Sequence, residues 1–180
     1  MVGSNLNYEK INSNFFKEEE DELFYIGKCL DPSFSPYFLQ DQLEIHELYN
    51  FNDLIDINLD DELKAANFIL ESSEQGIITS CNDISRGGIF ICLLKMINKD
   101  LGFKIQIQNL IDLFCEFSAG YVISINKNNI KKVSEISKKN NIDLNKLGVV
   151  KKSTIDINEH KINFNDLYRK YKKNFESIIH

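Results

Sequence analysis

Between residues 77 and 97 the polar and apolar positions separate into blocks. Ile77 and Ile78 form a β-branched apolar run that suits a short buried strand. A polar, glycine-bearing turn follows, ending in Gly87-Gly88. From Ile89 the apolar residues Ile89, Cys92, Leu93, Met96 and Ile97 recur at helical spacing, and Phe90, Ile91 and Leu94 cover much of the rest. A helix that is apolar nearly all round is enclosed by its own domain. This strand–turn–helix unit is therefore expected at the centre of the fold.

The remaining pattern interleaves strands with helices. Leu23-Phe24-Tyr25-Ile26-Gly27 reads as a strand ended by glycine, after an acidic lead-in over residues 1–22. Asp31–Tyr37 holds both prolines and reads as a loop, and residues 37–49, with His46, form a mixed segment. A helix over about residues 60–75 is expected to bury Leu63, Ala66, Ile69, Leu70 and Ser73 and to stop at Gly76. Lys104–Gln108 alternates as a strand, and Asn109–Phe114 forms a short helix or turn. An amphipathic helix spans Asn129–Asn140 with Ile130, Val133, Ile136 and Ser137 inward. Thr154–Asn158 alternates and reads as a strand, with His160 in the turn that follows. Asn163 caps a last helix carrying Phe164, Leu167, Tyr168, Tyr171, Phe175, Ile178 and Ile179. Alternation of this kind predicts an α/β or α+β sandwich.

Composition narrows the function classes. A net charge of -6 argues against non-specific nucleic-acid binding, which needs a basic surface. No apolar run is long enough to span a bilayer, and no basic-then-apolar signal opens the chain, so a cytoplasmic protein without membrane partners is expected. Cys29, Cys81, Cys92 and Cys115 lack paired metal-ligand spacing and read as reduced thiols. No phosphate-binding P-loop, dinucleotide fingerprint, nucleophile elbow or zinc-protease motif is present. No residue is assigned a catalytic or metal-ligating role.

The chemistry-bearing stretch is Asn82-Asp83-Ile84-Ser85-Arg86-Gly87-Gly88. Asp83 and Ser85 are good caps for the first turn of the helix. Gly87 and Gly88 let the backbone approach another chain or a ligand, and free N–H groups at a helix start favour an anion.

With the apolar helix behind it, this D-x-S-x-G-G stretch resembles the C-terminal domain of the phosphoribosylformylglycinamidine synthase family. That family lies in the aminoimidazole-ribonucleotide-synthetase-like superfamily. The resemblance continues through Phe15–Asp21, Tyr25-Ile26-Gly27, Tyr37–Leu39 and Ile45-His46, although Glu47 replaces a glycine. Leu113–Ile125 is similar to the family's turn and core strand, matching at Glu116, Ser118, Ala119 and Gly120. It departs at Phe117, which replaces a serine, and at Tyr121, which replaces an arginine and so removes a bidentate phosphate donor. The family often has Asp where this chain has Arg86.

The resemblance implies the fold of the aminoimidazole ribonucleotide synthetase C-terminal domain, a mixed sheet flanked by helices, over residues 23–180, with residues 1–22 leading in from a preceding domain. It implies substrate or nucleotide contacts at Asp83, Ser85, Gly87, Gly88, Glu116, Ser118 and Gly120. It implies ATP and Mg2+ as cofactors of the parent ligase, held largely by preceding ATP-binding domains. Those domains and a glutamine amidotransferase subunit are the implied partners, and the isolated chain is expected to be inactive. Two alternatives stay open. One is a non-catalytic structural or interaction domain of the same assembly. The other is the C-terminal domain of a sister family, aminoimidazole ribonucleotide synthetase or selenophosphate synthetase.

Overall fold

A computed structural model of the chain describes residues 12–29, 58–85, 87–108, 110–115 and 117–179, without the side chains of Cys29, Ile111 and residues 172–179. In chain order the elements are β1 (Glu22–Cys29), α1 (Leu59–Glu74), β2 (Ile78–Asp83), α2 (Gly88–Met96) and β3 (Leu101–Ile105). There follow β4 (Phe117–Ile125), α3 (Ile130–Lys139), β5 (Asn145–Lys152), β6 (Ile155–Ile157), β7 (His160–Ile162) and α4 (Phe164–Ile179). The loop over Asp31–Tyr37, the segment with His46 and Glu47, Arg86, Glu116, and the side chains of Phe175, Ile178 and Ile179 lie outside the described residues.

The strands form one sheet in the order β2-β4-β1-β5-β3-β6-β7. Only β3 and β6 pair in parallel; the other ladders are antiparallel, so the sheet is mixed as expected. Helices cover both faces. On one face Phe24, Ile26, Ile123 and Ile125 pack with Ala65 and Phe68 of α1 and with Val133 and Ile136 of α3. On the other, Leu23, Phe103, Ile105 and Val122 pack with Ile89, Leu93 and Met96 of α2 and Phe164 of α4. Alternate residues of β1 thus feed both cores, because successive strand side chains point to opposite faces. The all-round apolar pattern of α2 has its reason here: Ile89, Cys92, Leu93, Leu94 and Met96 are all buried.

Several local signals work as written. Gly76 follows α1 with φ of 64°, and its N–H donates to the Ser73 carbonyl, which closes the helix end. The Asn163 side chain accepts from the Asp166 N–H at 3.0 Å and caps α4.

Other expectations need correction. The inward face of α1 is Ala65-Phe68-Ser72, while Leu63 and Leu70 are 61% and 59% exposed and Ala66 also faces out. Both stripes have helical spacing; Phe68 decides between them, because a ring offers the most apolar area to bury. Strand β2 continues to Asp83 despite its polar residues, since an edge strand needs to bury only part of each side chain. Strand β3 ends at Ile105 rather than Gln108. His160 opens β7 instead of sitting in the turn, which is made by Asn158 and Glu159.

Within the lead-in, Lys17, Glu18 and Glu19 are exposed, while Phe16 and Asp21 are buried. Ser13 forms a parallel bridge with Ser80, and the Phe16 N–H donates to the Met96 carbonyl at 2.8 Å. The Asp21 carboxylate accepts from the Thr79 hydroxyl at 2.6 Å, and the hydroxyls of Thr79 and Ser80 both meet that of Ser124. A polar chain of this sort satisfies side chains that would be costly to bury alone.

Candidate functional site

The two stretches singled out in the sequence adjoin in space. Asp83 lies opposite Tyr121 in the β2–β4 ladder, and the Ile84 N–H donates to the Gly120 carbonyl at 2.9 Å. The glycine turn and the Ser118–Gly120 segment therefore form neighbouring parts of one sheet end.

The glycine turn is built inward. Gly87 is the N-cap of α2, left-handed at φ of 89°, and no side chain caps it. The expected capping by Asp83 or Ser85 does not occur. Asp83 is still paired in the strand and exposed, and the turn is closed by the Gly88 N–H donating to the Ser85 carbonyl at 3.0 Å. A Cβ on Gly88 would lie 2.5–2.7 Å from backbone atoms of Leu113, Phe114 and Cys115. The space that a second glycine leaves is thus filled by the chain's own backbone. Toward solvent the turn presents Asp83 and Ser85, and the Lys95 ammonium donates to the Ser85 hydroxyl at 3.3 Å. Lys95 escaped the sequence reading. Its signal was being the one charge within an otherwise apolar helical run.

The second segment is a bulged part of β4, not a turn before it. Ala119 is left-handed at φ of 52°, and the β1 register shifts between Ile26 and Lys28 where Gly27 faces it. A non-glycine residue held there stores strain of roughly 1–2 kcal/mol. Its N–H donates to Glu62 Oε1 at 2.8 Å, and the Ser118 hydroxyl donates to the same oxygen at 3.2 Å. Glu62, read from the sequence only as one of three helix-start acids, thus gives α1 a polar contact with this segment. Nothing in its spacing distinguished it from Asp60 and Asp61.

Burial raises the Tyr121 phenol above its ordinary range, with smaller contributions from Cys81, Glu62 and Asp83. Burial also pushes the thiols of Cys81 and Cys92 up to about 12, so both stay protonated and unreactive at neutral pH. Among the described residues no group of three or more His, Cys, Asp or Glu could hold a metal ion. A groove of about 1060 Å³ lies elsewhere, on the half of the sheet left open by α1 and α3, lined by Glu22, Lys104, Gln106 and Lys146 among others. It contains none of the candidate residues, and within it Glu22 and Lys146 form an ion pair at 2.6 Å. No helix of the described residues is long and apolar enough to cross a membrane.

A mixed seven-stranded sheet with helices on both faces, and a glycine turn leading from an edge strand into a buried helix, define a recognisable class. Residues 18–158 match the model of the AIR synthase related protein C-terminal domain, and the chain belongs to that family. Within it, the chain is similar to the phosphoribosylformylglycinamidine synthase subunit PurL. The protein of that name from Petrotoga mobilis is 29% identical over 158 residues, 85% of this chain and 21% of its own length. PurLQS from Thermotoga maritima shares the fold with a TM-score of 0.71 at 12% identity, over 91% of this chain and 28% of that one. Thermotoga maritima PurL complexed with FGAR gives a TM-score of 0.69 at 11% identity, over 89% and 30% of the two chains. The chain spans about a fifth of the length of the curated relatives it matches.

Proposed function

We propose that this chain serves as the C-terminal domain of an ATP-dependent carbon–nitrogen ligase, phosphoribosylformylglycinamidine synthase. The reaction converts formylglycinamide ribonucleotide to formylglycinamidine ribonucleotide in purine biosynthesis. The observation that carries this reading is the similarity to PurL along 85% of the chain. ATP supplies activation of an amide oxygen, and ammonia then displaces the phosphate. The described residues do not fit an ATP and Mg2+ site by themselves. They lack a metal-holding cluster, and the inner side of the glycine turn is filled. ATP and Mg2+ therefore belong to preceding domains in this reading, and a glutamine amidotransferase subunit supplies ammonia. The assembly works in the cytoplasm.

The chain's own part is orientation. Asp83 and Ser85 face the ribonucleotide across a domain boundary, and Lys95 brings a positive charge to the Ser85 hydroxyl. A lysine beside a hydroxyl suits a phosphate as a point charge next to a neutral donor. Alone, residues 1–180 have no ligase activity.

The test joins the chain to the ATP-binding domains of a PurL relative that lacks this region, and follows ammonia-dependent product. Restored turnover supports the reading. Replacing Asp83 and Ser85 by Asn and Ala then lowers kcat/KM by about tenfold or more, the scale of a lost charge-assisted hydrogen bond. The second reading, a purely structural domain, is favoured by the inward packing of the glycine turn. Unchanged turnover with a lowered unfolding midpoint in that double variant establishes it instead.

A further inference from the structure

The side of α1 turned away from the sheet carries Leu59, Leu63, Ala66 and Leu70. Spaced four, three and four residues apart, they form one stripe roughly 17 Å long. All four are exposed, and the leucines are 76%, 61% and 59% open to solvent. Single leucines on a surface need no explanation, and leucine and alanine favour a helix whatever surrounds them. Their alignment is a different matter. Of the five large apolar residues exposed among the described residues, three fall on this one line. The spacing is that of the seam between two helices packed side by side, and a contiguous apolar face marks a contact surface.

The acids around the stripe define what it would meet. Glu74 continues the stripe one turn beyond Leu70, and Asp60 flanks its other end beside Leu63. Both are exposed, and among the described residues neither enters an ion pair. Asp61 and Glu71, by contrast, are held by Lys64 and Lys139. Asp60 suits the positive end of the helix dipole. Glu74 does not: it lies in the last turn, where a carboxylate is disfavoured and no basic residue offsets it. A cation supplied from outside the chain would relieve it.

We propose that the outer face of α1 is a docking surface for a basic amphipathic helix. That helix brings leucine-like side chains to the stripe and a lysine or arginine to each of Asp60 and Glu74. A second copy of the chain fits poorly. The five acids of α1 stand against one lysine, so pairing α1 with itself sets like charges together. Three leucines and an alanine also offer much less area than the ~800 Å² per partner of a standard stable interface. A single helix laid along the stripe needs only these anchors. The surface goes beyond the ligase reading, since none of its residues belongs to the glycine turn or to the Ser118–Gly120 segment.

The test titrates the 180-residue chain with two synthetic helical peptides of roughly 18 residues, followed by NMR at the backbone amides of α1. Both peptides repeat the leucine spacing of the stripe. One has lysine at both ends of its leucine row, where either orientation brings it to Asp60 and Glu74; its twin has glutamate there. The lysine peptide is expected to shift the amides of Leu63, Ala66 and Leu70. It is expected to bind roughly fivefold more tightly than its twin, since two exposed attractions replace two repulsions. Glu74→Lys is expected to narrow or reverse that preference, and Leu63→Lys combined with Leu70→Lys to abolish the shifts. Unaltered β4 amides in these variants verify that the fold is kept. Equal binding of the twins, shifts confined to other elements, or no shift with either peptide overturns the proposal. So does sedimentation of the chain alone as a dimer that Leu63→Lys dissolves, because the occupant is then a second copy.

Discussion

Gly27 and Gly120 meet across β1 and β4 with no room for a side chain between them: a Cβ on Gly27 would lie 2.7 Å from the Gly120 Cα and 2.7 Å from the Ser118 carbonyl oxygen. Both neighbours are backbone, which cannot move aside as a flexible side chain can.

Gly27→Ala therefore combines a left-handed strain with a clash against a ladder. It is expected to cost roughly 3 kcal/mol or more. Gly76→Ala is the control. Gly76 is also left-handed, at φ of 64°, but nothing lies within 4 Å of its Cβ position. Only the backbone cost remains there, roughly 1–2 kcal/mol. Urea unfolding of the two variants measures the difference; equal midpoints would show that the close approach is not real.

The corrected face of α1 makes an opposing pair of predictions. Phe68 is fully buried between the sheet and α3, so Phe68→Ala should cost about 3–5 kcal/mol. Leu63→Lys, on the outward face, should stay within about 0.5 kcal/mol of the wild type. The order would be reversed if the sequence-derived stripe were the buried one.

Asp21 gives a pH dependence with a defined sign. Burial holds its carboxyl above the ordinary range, opposed by the Thr79 hydrogen bond and aided slightly by Glu18. The folded chain then binds this proton more tightly than the unfolded chain. Its contribution is fully present below the unfolded pKa, near 3.8, and is lost as pH rises through the higher folded value. Asp21→Asn removes that titration, so the difference in stability between variant and wild type should change from about pH 4 upward. Unfolding midpoints across that range decide it. Parallel curves for the two proteins would mean that Asp21 titrates as it does in water.

The elements themselves were largely legible because their signals are local. Helical spacing gave α2 and α3, Asn163 gave the start of α4, and Gly76 gave the end of α1. What stayed hidden depends on partners far along the chain. Leu63 and Phe68 both sit on acceptable stripes, and only the sheet beneath selects Phe68. Asp83 looks like a cap until its pairing with Tyr121 keeps it in a strand. The order of the strands could not be read at all, since it rests on ladders between distant segments. Of the candidate residues, Asp83, Ser85, Ser118 and Gly120 were singled out by resemblance, and the β2–β4 ladder sets their two stretches side by side. Glu62 and Lys95 were not, because a carboxylate in a first turn and a lysine on a helix have ordinary duties almost everywhere.

The strand order has a consequence for how the protein is made. Strand β1 has β4 and β5 as its neighbours, and β2 has β4. On the ribosome, β1 and β2 therefore emerge before Phe117–Ile125, the described strand that pairs with both, has been synthesised. Until then Leu23, Phe24, Ile26, Ile77 and Ile78, all buried in the finished fold, lack the β4 ladders. Closure then joins segments far apart in the chain, which is slow and leaves apolar strand surface open to aggregation. Synthesis of β4 is the step that commits the nascent chain to its sheet.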